Sequence, residues 1–299
     1  MHIVQLVNER VPVSKYGGTE RVVVWLTRAL VEMGHRVTLI APEGSTLPEA
    51  TVVTLPHAEL QRPDLDISRL LPAGAEIVHA HRQMPDTLPV PLVWTLHGNY
   101  PPGTVLPANT IYLSANHAQR FGSTRFVYNG LDLSEYRFRS QKGDYDLFLG
   151  RLHSVKGYKW AIAGARKAGR RLVLAGGWRP SMRRGISFVG RVGGERKVDL
   201  LAGAKCLWMP ALWDEPFGLT LIEALASGTP VLGTRRGSLP EIVSADVGVL
   251  GDSVEELVAG AEAMDGIAAE ACRDRVERNF THRIMAASYL REYALALGR

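Results

Sequence analysis

The run Trp213-Asp214-Glu215-Pro216-Phe217-Gly218-Leu219-Thr220-Leu221-Ile222-Glu223-Ala224-Leu225, continuing as Ala226-Ser227-Gly228-Thr229-Pro230-Val231, sets two carboxylates apart by seven residues. Pro216 holds the residue before it out of the helical region, so Glu215 is expected in a loop that follows a strand. Residues 218–227 read as a helix with Glu223 near its first turns. At such a helix start the amides of Gly218, Leu219 and Thr220 have no intrahelical acceptor, and the helix dipole points the same way, which suits an anion such as a diphosphate. A carboxylate on that helix is placed to accept two hydrogen bonds from vicinal ribose hydroxyls, and one in the preceding loop to do the same for a sugar. A bare pair of glutamates is ordinarily a solvated face plus a loop charge. Pro-Phe-Gly after the first and Gly-Thr-Pro-Val beyond the second point instead to a built site.

Outward from this run, short β-rich segments alternate with helical ones along the chain, as in parallel sheets with crossover helices. Residues 3–7 read as a strand, 19–33 as an amphipathic helix ending at Gly34, and 36–41 as the next strand, which makes one βαβ unit. Further strands are expected at 51–55, 76–80, 92–96, 110–114 and 125–128. An irregular stretch, 132–142, follows, and alternation restarts at 146–149, 171–175, 187–189, 206–210 and 231–233. Residues 281–297 read as a final amphipathic helix with Ile284, Met285, Tyr289, Leu290 and Tyr293 on one face. The expected domains are 1–131, 132–280 and a terminal helix at 281–299.

Three other groups lie where open α/β sheets place ligands, at strand carboxyl ends. Leu149-Gly150-Arg151-Leu152-His153-Ser154-Val155-Lys156-Gly157 offers a fork, Arg151, and a point charge, Lys156, both suited to a diphosphate. Tyr16-Gly17-Gly18-Thr19-Glu20-Arg21 opens the first helix, where Gly17 and Gly18 allow close backbone approach and leave Thr19 to cap. It is not a dinucleotide fingerprint, despite Glu43 after the second strand, because residues 8–15 intervene and no third glycine stands at the required offset. His97 closes the strand Trp94-Thr95-Leu96, and His79 and His81 follow another strand as weaker candidates.

With these motifs the chain resembles glycosyltransferase family 4, whose hallmark is the Glu, seven residues, Glu arrangement with Pro-Phe-Gly. The resemblance implies the GT-B fold: α/β, two Rossmann-like domains with parallel sheets facing across a cleft, and a C-terminal helix crossing back to the first domain. It implies a retaining enzyme working without metal on a nucleotide diphosphate-sugar, a hexosyl donor being expected. Glu215 would hold the donor sugar's hydroxyls and Glu223 the ribose, with Phe217, Gly218, Leu219 and Thr220 along the donor. Arg151 and Lys156 would grip the diphosphate, Gly17 and Gly18 would face the phosphates and the acceptor, and His97 would touch the sugar. Gly190, Arg191 and Val192 fall in the segment that forms the nucleobase pocket. Asn129-Gly130-Leu131-Asp132 matches the crossing between domains, read as a tight positive-φ hinge.

Composition sets the outer bounds. With 299 residues, 46% hydrophobic and 22% charged, the chain has apolar side chains enough for two ordinary cores. Net charge +5 attracts anions, but the arginines are scattered, as in Arg166, Lys167, Arg170, Arg171 and in Arg179, Arg183, Arg184, without the interleaved aromatics of a single-strand binding face. They read as solvated surface, so no nucleic acid is expected and at most a weak peripheral membrane contact. Cys206 and Cys272 form no framework or metal spacing, and nothing reads as a leader or membrane span, which suits the cytoplasm. The triplets Asp64-Leu65-Asp66 and Asp144-Tyr145-Asp146 are short enough to arise by chance, and no metal or cofactor is expected. The donor base, UDP, GDP or ADP, stays open, as does an acceptor that is a small molecule, a glycan or lipid-linked. Residues 56–75 leave little room for the extra helix usual in the first domain, the side that recognises the acceptor in this family. A sugar-nucleotide epimerase of the same fold, an NAD-dependent oxidoreductase and a noncatalytic nucleotide-sugar binding protein are the rival readings.

Overall fold

The computed structural model describes residues 1–13, 17–101, 103–180 and 184–299, so Tyr16 and Arg183 lie outside the described residues. Among these the chain divides into two compact units, one of 1–13, 17–130 and 282–299, the other of 131–281.

The first unit is built on β1 (His2–Leu6), β2 (Arg36–Pro42), β3 (Thr51–Leu55), β4 (Ile77–Ala80), β5 (Leu92–Thr95) and β6 (Thr110–Ile111). They form one six-stranded sheet in the order β3-β2-β1-β4-β5-β6. Every pairing is parallel. The helices are α1 (Thr19–Glu32) and the short α2 (His57–Leu60) and α3 (Ala115–Arg120). Helices on both faces require central strands apolar on both faces, and β1, β2 and β4 are buried along almost their whole length. Val4, Leu6, Ile40, Val78, Ala80 and Trp94 form the core on one side. α1 buries Val22, Val23, Trp25, Leu26, Ala29 and Leu30. It stops at Gly34, whose φ of 81° lets the amides of Met33, Gly34 and His35 turn back onto the last carbonyls.

The second unit repeats the plan. Its strands are β7 (Asp146–Leu149), β8 (Leu172–Ala175), β9 (Ile186–Gly190), β10 (Leu207–Met209), β11 (Val231–Gly233) and β12 (Gly248–Leu250), in the order β12-β11-β10-β7-β8-β9. Counted from its own first strand, this order is the same as that of the first unit. α4 (Tyr158–Lys167), α5 (Gly194–Gly203), α6 (Leu219–Ala226), α7 (Leu239–Ile242), α8 (Val254–Ala261) and α9 (Ala269–Asn279) surround it, and α10 (His282–Ala296) returns to the first unit to pack on α1. In each sheet the order reverses between the first and fourth strands, at β1/β4 and β7/β10. That reversal opens the crevice in which doubly wound sheets bind ligands.

Five readings of the sequence change. Residues 125–128 contribute only an isolated bridge, Tyr112 to Phe126, because β6 ends at Ile111 and leaves no edge to extend. β12, unread in the sequence, completes the second sheet. α1 begins at Thr19 with Gly18 as its cap residue and no side-chain cap, so Thr19 lies within the first turn. Gly130 does not adopt positive φ, since Leu131 pairs with Thr281 in a parallel bridge and the backbone there is extended. Ile284 is exposed, and α10 instead buries His282, Met285, Ala286, Tyr289 and Tyr293.

Arg170 is likewise no part of a solvated surface. Its Nε and Nη2 donate to the two oxygens of buried Asp146 at 2.7 and 2.9 Å, Trp208 Nε1 donates to Asp146 Oδ2 at 2.8 Å, and Asp265 takes further bonds from the guanidinium. The network sits at the amino end of β7, away from the ligand end. It commits one carboxylate of the Asp144-Tyr145-Asp146 triplet, while Asp144 pairs with Lys205 and Arg171.

Candidate active site

The loops leaving β7 and β10 meet at the reversal of the second sheet, where the two strands are neighbours. Gly157 has φ 71°, and a Cβ there would stand 1.7 Å from the carbonyl oxygen of Pro210, so the two loops touch backbone to backbone. Leu212 N donates to Val155 O at 2.8 Å across the same contact. This approach carries Lys156 Nζ to 2.6 Å from Glu215 Oε2, and Trp213 Nε1 donates to the same oxygen at 2.8 Å. Lys156 Nζ also lies 4.6 Å from the centroid of the Trp213 ring. Glu215 is only 8% exposed, so its charge needs the partner it has. Oε1 takes no hydrogen bond among the described residues.

Behind Glu215 the turn at Gly237 and Ser238 holds the loop by its backbone. Ser238 N donates to Glu215 O at 3.0 Å and Ser238 Oγ to Phe217 O at 2.7 Å. Gly237, at φ 58°, passes so close that a Cβ would lie 2.4 Å from Glu215 N. Gly218 then takes a left-handed conformation, φ 83°, and starts α6. The amides of Gly218, Leu219 and Thr220 find no acceptor among the described residues, and Phe217, buried, packs edge-on to Phe280 at 6.0 Å. Glu223, on α6, is 2% exposed. Its Oε1 accepts from Lys197 Nζ at 2.6 Å and from Tyr136 Oη at 2.7 Å, so it is not the open carboxylate its spacing suggests. Arg151 is exposed at the end of β7, without an acidic partner among the described residues. Gly190 ends β9 at φ 78°, followed by exposed Arg191 and buried Val192.

His97, Gly17 and Gly18 belong to the first unit. Gly17 has φ 157°, and its Cα faces the Glu20 carboxylate, to which a Cβ would come within 2.5 Å. His97 is half-buried beyond β5, with its Nε2 2.9 Å from His81 Nδ1. Burial and neighbouring His117 push it down to about 3, so it is a neutral hydrogen-bonding group. His79 does not line a site: it is fully buried between Tyr293 Oη and Thr95 Oγ1, each at 2.7 Å. Lys197, Tyr136, Trp213, Gly237 and Ser238 went unread in the sequence. Only Trp213, two residues before Glu215, carried a local hint.

Two parallel six-stranded sheets of this order in one chain define the GT-B class of glycosyltransferase folds. AviGT4, a glycosyltransferase involved in avilamycin A biosynthesis, superposes with a TM-score of 0.81 at 30% identity over 100% of this chain and 98% of that one. Anabaena HepE in complex with UDP and glucose, 16% identical, shares the fold at a TM-score of 0.72 over 97% of this chain and 98% of that one. Residues 16–133 match the Glycosyltransferase Family 4 model and residues 144–269 the Glycosyl transferases group 1 model. The chain belongs to glycosyltransferase family 4. An uncharacterized glycosyltransferase of Methanocaldococcus jannaschii is 30% identical over 153 residues, which span 41% of this chain and only 39% of that protein. A phosphatidyl-myo-inositol mannosyltransferase of Propionibacterium freudenreichii subsp. shermanii is 24% identical over 92% of this chain and 88% of its own length.

Proposed function

We propose that this chain moves a hexosyl group, with retention at the anomeric carbon, from a nucleotide diphosphate-sugar to a small-molecule, glycan or lipid-linked acceptor. The observation that carries this reading is the Lys156–Glu215–Trp213 cluster in the crevice of the second sheet. Both donors on Glu215 occupy Oε2, which leaves Oε1 to receive sugar hydroxyls. Arg151, Lys156 and the amides of Gly218, Leu219 and Thr220 hold the diphosphate and stabilise charge growing on the leaving phosphate. The bond from C1 to the phosphate oxygen breaks, the acceptor oxygen bonds to C1 on the same face, and its proton passes to the departing phosphate. The Glu pair therefore need not act as the acid and nucleophile of a glycosidase. Ribose is assigned to Glu223 acting together with Lys197 and Tyr136, the base to Gly190, Arg191 and Val192, and His97 to a neutral contact with the sugar. Gly17 and Gly18 are assigned to the phosphate and acceptor side.

We assign the reaction no metal or cofactor, because exposed Arg151 and the amides at the start of α6 are at hand for the diphosphate and Asp144 and Asp146 are committed to internal ion pairs. No helix among the described residues is long and apolar enough to cross a membrane. A cytoplasmic setting, where nucleotide sugars are made, is part of the proposal.

The test screens UDP-, GDP- and ADP-hexoses for a rise in melting temperature, since a ligand at 100 times its dissociation constant adds about 2.7 kcal/mol. Acceptor-dependent release of nucleoside diphosphate, unaffected by EDTA, is the expected activity, and Glu215→Ala and Lys156→Ala abolish it while the fold survives. Wild-type turnover in both variants defeats the assignment. Donor conversion without acceptor would make it an epimerase, and stabilisation without release a binding protein.

A further inference from the structure

Of the six tryptophans, Trp178 alone is largely exposed, at 70%. It follows β8 at the ligand end of the second sheet, and the backbone on either side of it is anchored. Gly176 N donates to Gly190 O at 2.7 Å, and Gly177 bridges to Gly190, so the segment is hydrogen-bonded to the one that carries Arg191 and Val192. Gly176, at φ 131°, passes so close to the β7 loop that a Cβ would be 2.0 Å from Gly150 O, and one on Gly177 would be 2.8 Å from Leu152 Cδ1. On the far side Arg179 lies 5.5 Å from the Tyr158 ring centroid, at the start of α4. An anchored backbone thus carries a bare indole beside both the Arg151 loop and the Gly190–Val192 segment.

We propose that Trp178 is a nucleobase-stacking residue of the donor site, supplying a flat apolar face for the ring of the nucleoside diphosphate. The chemistry fits the position. A planar heterocycle gains most from an aromatic face that is already in place, and stacking accepts any base. The flanking exposed cations Arg151 and Arg191 draw an anionic nucleotide toward it. This inference rests on the donor-site reading above and adds a residue that neither the glutamate spacing nor the basic loop contains.

The test measures binding of UDP, GDP and ADP, and separately of inorganic pyrophosphate, to the wild type, Trp178→Ala and Trp178→Phe by calorimetry. Trp178→Ala weakens the nucleotides about tenfold or more, Trp178→Phe stays within about threefold of wild type, and pyrophosphate binding changes in neither. Nucleotide quenches the wild-type indole fluorescence more than that of Trp178→Phe. Equal nucleotide affinity in wild type and Trp178→Ala overturns the stacking role and leaves the donor site standing. Equal weakening of pyrophosphate and nucleotide also overturns it, since the loss then comes from the loop. A wild type that binds none of the nucleotides overturns the donor site and the stacking role together. Because the side chain is exposed, all three proteins should melt alike.

Discussion

Replacing His79 by glutamine should make the protein more tolerant of acid. His79 is fully buried, and both ring nitrogens are engaged: Nδ1 with Tyr293 Oη and Nε2 with Thr95 Oγ1, whose oxygen lies 2.9 Å from Tyr289 Oη. Burial, then the nearness of His97, pushes its pKa from 6.5 down to about 3. A depressed folded-state value means that the unfolded chain binds the proton first, so the stability present above 6.5 is lost as pH falls toward 3. At pH 5 the unfolded imidazole is almost fully protonated and the folded one almost not at all, a loss of about 2 kcal/mol relative to pH 7. At pH 4 the loss is about 3 kcal/mol, a large part of the roughly 5–15 kcal/mol that holds a domain together. His79→Gln keeps a donor and an acceptor for the two hydroxyls but does not titrate. Urea unfolding at pH 7 and pH 5 reads the difference: the wild type should lose about 2 kcal/mol more than the variant. Any cost of the substitution itself cancels in this comparison. Equal losses in both proteins would show that His79 takes up its proton in the folded state, and the buried network would be misread. His81, whose ring is tilted against that of His79 with centroids 4.2 Å apart and which is itself pushed down by burial, makes the remaining acid sensitivity steep.

Two further perturbations test the second unit. Asp146→Ala leaves the Arg170 guanidinium and the Trp208 indole N–H without their shared buried acceptor, and thermal unfolding should show about 3–5 kcal/mol of lost stability, as for one partner removed from a buried pair. Gly157→Ala and Gly169→Ala place the same methyl at φ 71° and 66°, but only at Gly157 does it meet a backbone oxygen, whereas nothing lies within 4 Å of the other. Gly169→Ala should cost only the left-handed strain, about 1 kcal/mol, while Gly157→Ala forces the β7 and β10 loops apart and also weakens nucleotide diphosphate binding, read by calorimetry.

The doubly wound pattern was legible because its central strands are buried on both faces and are therefore rich in apolar residues, as 3–7, 36–41 and 76–80 are even with Gln5, Thr38 and His79 among them. Errors gathered at the edges, where burial no longer dictates the residues. β6 is two residues long, and β12, of three, pairs with β11 alone. Arg170 was misread for a different reason. A cluster of basic residues looks alike whether it faces water or a carboxylate, and the carboxylate here stands 24 positions earlier. Nothing local marks Asp146 as that partner.

The same divide between local and distant information runs through the site and changes its electrostatics. The two glutamates were visible because loop, left-handed glycine and helix form one continuous segment, so their spacing survives in sequence. Their partners come from other crossovers, Lys156 at a separation of 59 residues, Lys197 at 26 and Tyr136 at 87, and only the parallel topology brings them in. Read without them, two bare carboxylates beside a diphosphate would repel it. With them, each glutamate is closely paired with a lysine, and at such short range the field of a paired charge falls off far faster than that of a bare one. The charges left without an acidic partner in this neighbourhood, among the described residues, are then Arg151, exposed at the end of β7, and exposed Arg191 after β9, together with the partial positive charge at the start of α6. The pairing thus turns an acidic motif into a crevice that attracts an anion. It also follows that neutralising a glutamate alone frees a lysine: Glu215→Gln should hold nucleoside diphosphate at least as tightly as the wild type while losing transfer. Weaker nucleotide binding in that variant, measured by calorimetry, would mean that Glu215 contacts the nucleotide itself and that this account of the charges is wrong.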